Sequence, residues 1–147
     1  LKESIKIALS GIGDLDDIQF HITENFNSSA KNINIIPKGD LLVDYIHGMD
    51  LVIGRAGFNT ISECIAFRTP MLLLGEAMNP EIKENILNLK NAGLASFISL
   101  SDFKSGLKNF LTSFMKNEYD LIKNNMKNHE IEINGAEIIA KDILNHL

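Results

Sequence analysis

The hydrophobic and polar positions form two kinds of segment, which alternate along the chain. Short apolar runs, such as Leu51–Ile53 and Met71–Leu74, have the length of buried strands. Between them lie longer segments in which apolar residues recur every three or four positions, as in amphipathic helices. Because the two kinds of segment alternate, the pattern predicts an α/β domain with a mostly parallel sheet.

The pattern places twelve elements. Strands are predicted at 18–22, 33–36, 51–53, 71–74 and 95–98. Beyond residue 12, helices are predicted at 40–47, 59–67, 80–91, about 101–115, 119–128 and 135–147. Asp40 is a candidate N-cap of the helix at 40–47, and Ser101 or Asp102 of the helix near 101. The last helix has an apolar stripe that we expect to dock on the domain, formed by Ile138, Ile139, Ile143 and Leu147.

Residues 1–12 fit two periods. Four apolar residues recur at helical spacing: Leu1, Ile5, Leu9 and Ile12. Three alternate as in a strand: Ile5, Ile7 and Leu9. We favour a helix, because a strand here would lie only a few residues before the next one, and parallel neighbours need a crossover of about a dozen residues. The resulting order is that of a Rossmann-like, doubly wound sheet without its first, central strand and the glycine-rich loop after it.

The composition is that of an ordinary globular domain. Hydrophobic residues make up 45% of the 147 residues and charged residues 22%, which argues against disordered and fibrous classes. The length is sufficient for one domain with its own core. The net charge of −5 argues against a nucleic-acid-binding surface, which is normally basic. It leaves phosphate binding open, because a helix N-terminus can bind phosphate through backbone N–H groups.

The cysteine and histidine residues limit which disulfides and metal sites are possible, and the N-terminus bears on where the protein is located. Cys64 is the only cysteine, so an internal disulfide and a cysteine-based zinc site are excluded, and we interpret it as a core residue. The histidines lack metal-ligand spacing and are interpreted as structural or surface residues: His21, His47, His129 and His146. No apolar run reaches the roughly 18 residues of a membrane span. A first residue Leu1 without a signal peptide suggests part of a longer, cytoplasmic protein.

The segment 50–66 contains the candidate chemistry. It is predicted to be a buried strand, a tight turn at Gly57 and the start of a helix. Gly57 can adopt a positive φ and allows close approach of a ligand, and the N–H groups and dipole of a first helical turn favour a phosphate. Asn59 and Thr60 add polar groups there. Glu63, one turn further on, can accept hydrogen bonds from two vicinal hydroxyls, as on a ribose.

A structural alternative exists for each of these residues. Asn59 or Thr60 could cap the helix, with Glu63 as the carboxylate of a capping box. Arg55 could reach a diphosphate or pair with a nearby carboxylate. The residue types and their spacing do not by themselves distinguish the ligand-binding roles from these structural ones.

Several motifs together resemble the C-terminal domain of glycosyltransferase family 28. The family pattern of Arg-small-Gly, two residues and Thr-x-Ser-Glu is matched by Arg55–Glu63. The family continues with a small residue, a proline and an apolar strand, a helix containing Asn and a closing Gly. Similar segments here are Thr69–Leu74, Glu84–Ile86, Ala92–Gly93 and, in the last helix, Asn134–Glu137. The resemblance covers most of the chain and is strongest over about forty residues.

The resemblance implies a GT-B fold in which this chain is a single nucleotide-sugar-binding domain, residues 1–147, of a two-domain enzyme. Gly57 and Thr60 would lie at the donor diphosphate and Glu63 at the ribose of a uridine nucleotide. The backbone at 38–39 would face the uracil, and the loop 76–81 would approach the sugar. The residues expected to bind the donor are Gly39, Arg55, Gly57, Asn59, Thr60, Glu63, Glu81 and Asn85.

The sequence departs from the family pattern at two places, one that concerns the donor sugar and one that distinguishes family 28 from related transferases. A family Gln that contacts the sugar lies three residues before the helix Asn, whereas Ile82 is found three residues before Asn85. The identity of the sugar is therefore open. The turn 55–57 lacks the His that related transferases place there, which favours family 28.

By resemblance, the reaction is an inverting, metal-independent transfer from a UDP-sugar to an acceptor hydroxyl, without a cofactor. The general base would belong to an N-terminal acceptor domain or a partner subunit, so no catalytic residue is assigned here and the isolated chain is expected to be inactive. A lipid acceptor would bring peripheral association with the inner face of the membrane. The alternatives are a UDP-sugar hydrolase or epimerase on the same scaffold, a non-catalytic nucleotide-sugar-binding module, and a plain interaction domain.

Overall fold

The computed structural model describes residues 7–8, 11–12, 15, 17–23, 30–75, 79–130 and 134–146. Strands and helices alternate over most of this range, as predicted. The elements are β1 (Phe20–Ile22), β2 (Ile33–Ile35), α1 (Leu42–Ile46), β3 (Val52–Arg55), α2 (Phe58–Phe67), β4 (Met71–Gly75), α3 (Pro80–Ala92), β5 (Ala95–Ser99), α4 (Leu100–Asn117), α5 (Tyr119–Asn128) and α6 (Gly135–Asn145). Of the helix predicted within 1–12, residues 7 and 8 are helical, and 1–6 and 9–10 lie outside the described residues.

The strands form two parallel sheets. In the first, β1 pairs with β2, with Phe20 opposite Ile33. In the second, β4 lies between β3 and β5, with Met71 opposite Val52 on one side and Ala95 on the other. Among the described strands, neither β1 nor β2 is hydrogen-bonded to β3. The doubly wound order 3-2-1-4-5-6 has its first strand in the middle; most of the N-terminal residues that precede β1 lie outside the described residues, so the predicted absence of this strand stays a prediction.

β4 is the centre of the hydrophobic core. Its residues Met71, Leu72 and Leu73 are wholly buried. Met71 and Leu73 belong to a cluster that includes Phe114 of α4, whereas Leu72 belongs to a second cluster on the other face of the sheet, with Leu107 of α4. A strand covered on both faces is apolar at every position rather than at alternate positions. This explains why the strand was recognisable as a continuous apolar run.

Two side chains with buried polar atoms connect segments that are distant in the sequence. Asn32, just before β2, donates hydrogen bonds from its side-chain nitrogen to the carbonyl oxygens of Ile12 and Leu15, both at 3.1 Å. Thr69, just before β4, donates from its hydroxyl to the carbonyl of Ile46 at 3.0 Å. Each bond satisfies a backbone acceptor that would otherwise be costly to bury.

Two predicted N-caps are wrong. α4 is capped by Ser99, whose hydroxyl accepts from the N–H of Asp102 at 3.1 Å, and not by Ser101 or Asp102. The reason is that β5 passes directly into α4, which leaves Ser99 as the last extended residue. The N-cap position of α1 is Leu41, and Asp40 instead accepts a hydrogen bond from the Tyr45 hydroxyl at 2.6 Å.

The prediction that the last helix docks on the domain is also wrong for the described residues. None of the described residues of α6 is buried, and Ile139 and Leu144 are 62% and 70% exposed. Leu147, the last residue of the predicted stripe, lies outside the described residues. An apolar stripe indicates that a helix face favours burial, but it does not identify the surface that covers it.

Candidate functional site

The first turn of α2 follows directly from the end of β3. Arg55 ends the strand, Ala56 is fully buried and Gly57 occupies the N-cap position. No described side chain caps this helix. The capping roles considered for Asn59, Thr60 and Glu63 are therefore wrong. Asn59 and Thr60 lie inside the helix, and the carboxylate of a capping box would be at position 60, three residues after the N-cap, and not at 63.

Gly57 does not have the backbone conformation that was expected of it. Its φ is −79° and its ψ is 143°, an extended conformation that any residue adopts. A Cβ placed on Gly57 would meet no heavy atom of the described residues within 4 Å. What the glycine provides is therefore open space beside the first turn of α2, and not a positive φ.

The open space is part of a depression between the first turns of α2 and α3. The depression has a volume of about 260 Å³ and is lined by Gly57, Phe58, Asn59, Thr60 and Glu81. The structure thus brings together four of the expected donor-binding residues from segments about twenty positions apart. Phe58 was not predicted; an apolar residue between the turn glycine and two polar residues is the feature of the sequence that could have identified it.

Glu63 and Asn85 are on the two helices that form this depression but do not line it. Glu63 is half-buried on α2, three residues after Thr60, and so lies on the face shared with that residue. Asn85 donates a hydrogen bond from its side-chain nitrogen to the carbonyl of Ala56 at 2.9 Å. Asn85 therefore contacts the turn between β3 and α2, a contact not expected from the sequence.

Two further expected residues lie in neighbouring loops. Arg55 has an exposed side chain at the carboxyl end of β3. Gly39 follows β2 with a φ of 109°, in the region that favours glycine. Neither lines the depression. Of the loop 76–81 expected near the sugar, residues 76–78 lie outside the described residues, whereas Asn79 accepts hydrogen bonds from the N–H groups of Glu81 and Ile82 and so caps α3.

Cys64 has the properties of a structural residue, as expected. Its thiol is fully buried, and burial, together with the adjacent charge of Glu63, raises its pKa to about 12. Such a thiol is not a nucleophile at neutral pH. All four histidines are exposed. Within the part of the chain that the structure describes, no group of three His, Cys, Asp or Glu side chains could hold a metal ion.

Among the described helices, none is both long enough and apolar enough to cross a membrane.

Two solved structures of glycosyltransferases have the same fold. The chain aligns with the glycosyltransferase SnogD from Streptomyces nogalater with a TM-score of 0.60 and 14% identity, covering 96% of this chain and 38% of that protein. It aligns with the glycotransferase of kitacinnamycin with a TM-score of 0.58 and 12% identity, covering 95% and 39% of the two chains. The chain thus spans less than two fifths of the length of either protein.

The sequence itself identifies the family. Comparison with curated proteins gives no match. Residues 5–143 match the family model of the glycosyltransferase family 28 C-terminal domain, in agreement with the resemblance carried by Arg55–Glu63. Since the match covers nearly the whole chain, the chain belongs to the glycosyltransferase family 28 C-terminal domain family.

Proposed function

We propose that this chain is the donor-binding part of a glycosyltransferase, and that the depression between α2 and α3 binds the diphosphate of a UDP-sugar. The observation that carries the proposal is the uncapped first turn of α2, which opens onto a depression in a member of this family. In α3 and α4 the corresponding N–H groups are taken by the side chains of Asn79 and Ser99. The helices α1, α5 and α6 also have no side-chain cap, so what distinguishes α2 is the depression beside its first turn.

The first turn of α2 has the properties needed to bind a diphosphate. An α-helix has unsatisfied N–H groups in its first turn and the positive end of its dipole there. The backbone N–H of Ile61 is bonded to the Gly57 carbonyl at 3.1 Å, which leaves the N–H groups of the preceding helical residues for a ligand. The Thr60 hydroxyl adds a donor at the same place. Together these groups would neutralise part of a diphosphate without a metal ion.

Residues near the depression would contact the other parts of the nucleotide. Glu63 lies one turn beyond Thr60, where its carboxylate would accept hydrogen bonds from the two ribose hydroxyls. The left-handed turn at Gly39 would present backbone to the uracil. Arg55, at the end of β3, would contact the diphosphate from the strand side.

The reaction that follows is an inverting transfer to an acceptor hydroxyl. As the bond to the sugar breaks, negative charge develops on the leaving diphosphate, where the N–H groups of α2 stabilise it electrostatically. The general base that deprotonates the acceptor would come from an N-terminal acceptor domain or a partner subunit, so the isolated chain would bind donor without turnover. Such an enzyme would act in the cytoplasm, and at the inner face of the membrane if the acceptor is a lipid.

Calorimetric titration of the protein with UDP tests the proposal. We expect a Kd between micromolar and low millimolar that does not change on addition of EDTA. Glu63→Gln should weaken binding by about 1.5–3 kcal/mol, the value of a hydrogen bond to a charged group. Glu84→Gln is the matched control, because this exposed carboxylate lies on α3 and does not line the depression. A folded protein that does not bind UDP would overturn the proposal.

A further inference from the structure

Phe58 is an exposed aromatic residue at the wall of an otherwise polar depression. It is the first residue of α2, and its side chain is 68% exposed. The other lining residues are Gly57, Asn59, Thr60 and Glu81. A single exposed apolar residue is common on protein surfaces. An aromatic ring at the wall of a binding depression, however, offers a ligand a large apolar contact at low cost in conformational entropy.

Glu81 restricts which part of a ligand can lie on its side of the depression. Its exposed side chain belongs to the first turn of α3, and its backbone is fixed by the hydrogen bond from its N–H to the Asn79 side chain at 3.0 Å. An ionised carboxylate only accepts hydrogen bonds and repels other anions. This places the diphosphate at the N–H groups of α2 rather than beside Glu81, where a carboxylate favours an uncharged or cationic group that donates hydrogen bonds.

A sugar ring has both properties required by these two side chains. One face of a pyranose presents C–H groups and is apolar, whereas its edge carries hydroxyl donors. The sugar is bonded directly to the terminal phosphate of the donor, so it must lie within one bond of the diphosphate. With the diphosphate at the backbone N–H groups of α2 and the Thr60 hydroxyl, the side chains of Phe58, Asn59 and Glu81 remain among the lining residues to contact the sugar.

We propose that Phe58 is a specificity-determining residue for the sugar of the donor, contacting its C–H face while the Glu81 carboxylate excludes acidic sugars. This inference rests on the proposed function and goes beyond it, because it selects neutral sugars over uronic acids. The ring of Phe58 contributes to binding only when a sugar is attached to the nucleotide. The Glu81 carboxylate strengthens the binding of a sugar that donates hydrogen bonds from its hydroxyls and weakens the binding of a sugar that carries a carboxylate.

The test compares three probes, UDP, UDP-glucose and UDP-glucuronic acid, by calorimetric titration of the same protein. In the unmodified protein we expect UDP-glucose to bind more tightly than UDP and UDP-glucuronic acid to bind more weakly than UDP-glucose. Phe58→Ala should weaken UDP-glucose by about 2- to 10-fold, the range of one aromatic contact, and leave UDP unchanged. Phe58→Tyr should retain the affinity for UDP-glucose. Glu81→Gln should reduce the discrimination against UDP-glucuronic acid.

The chain offers a matched control on the same helix. Phe67, the last residue of α2, is also exposed and lies at the end of the helix remote from the depression, so Phe67→Ala should leave all three affinities unchanged. If Phe58→Ala weakens UDP and UDP-glucose equally, or weakens neither, the inference is wrong while the nucleotide site stands. If UDP-glucose and UDP-glucuronic acid bind no more tightly than UDP, the sugar subsite is likewise rejected. If UDP itself does not bind, the proposed function fails and this inference fails with it.

Discussion

The side-chain nitrogen of Asn85 lies 2.9 Å from the carbonyl oxygen of Ala56 and donates a hydrogen bond to it. The bond joins the middle of α3 to the turn that precedes α2. Glu81 is one turn before Asn85 on α3, and Gly57 is the residue after Ala56. A single partly buried hydrogen bond therefore connects the two walls of the depression.

Removal of this bond is expected to lower both stability and nucleotide affinity. Asn85→Ala should reduce the free energy of unfolding by about 1 kcal/mol, because it leaves the Ala56 carbonyl without this donor, and should weaken UDP binding. Urea denaturation and calorimetry measure the two effects. Asn88→Ala is the control, since Asn88 is exposed on the same helix and the gain in helix propensity is the same. Equal effects of the two variants would contradict a role for the Asn85 bond.

The left-handed residue that ends α3 should not tolerate a side chain. Gly93 has a φ of 66°, and a Cβ there would lie 2.7 Å from the side-chain nitrogen of Asn125, which donates a hydrogen bond to the Gly93 carbonyl at 3.0 Å. Gly93→Ala is expected to cost more than about 1 kcal/mol. Gly48→Ala is the control, because its Cβ would make an ordinary contact of 3.7 Å with the Tyr45 carbonyl. Thermal melts of the two variants should differ by several degrees, and indistinguishable melting temperatures would refute the expectation.

The single cysteine should report on opening of the core. Burial and the charge of Glu63 raise the pKa of Cys64 to about 12, so at pH 8 the folded protein contains almost no thiolate. We expect labelling by a thiol reagent to be slow in buffer and rapid and stoichiometric in denaturing urea. Because Cys64 is the only cysteine, the signal has one source. Rapid labelling of the native protein would show that the α2 face of the core is accessible.

The pair formed by Tyr45 and Asp40 should be detectable in alkaline solution. The hydrogen bond to Asp40 raises the pKa of Tyr45 above its ordinary value of 10.0, with smaller contributions from desolvation and from the charges of Asp40 and Asp44. Because the folded pKa is the higher one, the contribution of Tyr45 to stability is present below pH 10 and is lost as the pH rises through the folded pKa. Absorbance at 295 nm should show one tyrosine ionising at lower pH in Asp40→Ala. Superimposable titration curves would rule out the effect, and Tyr45→Phe identifies the signal.

Features that depend on local chemistry or on burial from both sides were predictable. The run Met71–Leu74 is apolar throughout because two core clusters cover it. Pro80 begins α3 and Gly93 ends it, because proline and glycine have fixed preferences at helix termini. The family motif at Arg55–Glu63 located the first turn of α2 for the same reason, since its glycine and polar residues occur at fixed spacing.

Features that depend on long-range geometry were not predictable. The exposure of α6 depends on what surrounds it in space. The cap at Ser99 is local, but it was not predicted because the sequence pattern left a gap between β5 and α4, which are contiguous in the structure. Asn85 was expected to contact the donor, but its distance from the Ala56 carbonyl follows from how α3 packs on the sheet, where it contacts β4 and β5. Phe58 was missed because the helix was predicted to begin at residue 59, whereas the structure makes Phe58 the first residue of α2, with an exposed side chain.

Gly57 is a glycine that the fold itself does not require. Its φ of −79° suits any residue, and open space surrounds the position of a Cβ. Serine or aspartate there would cap α2 and restrict the unfolded chain, which together would add up to about 1 kcal/mol of stability. The same side chain would occupy the N–H groups that we assign to the diphosphate. A selection for thermal stability alone is therefore expected to replace Gly57 early, and to yield a more stable protein that has lost its ligand.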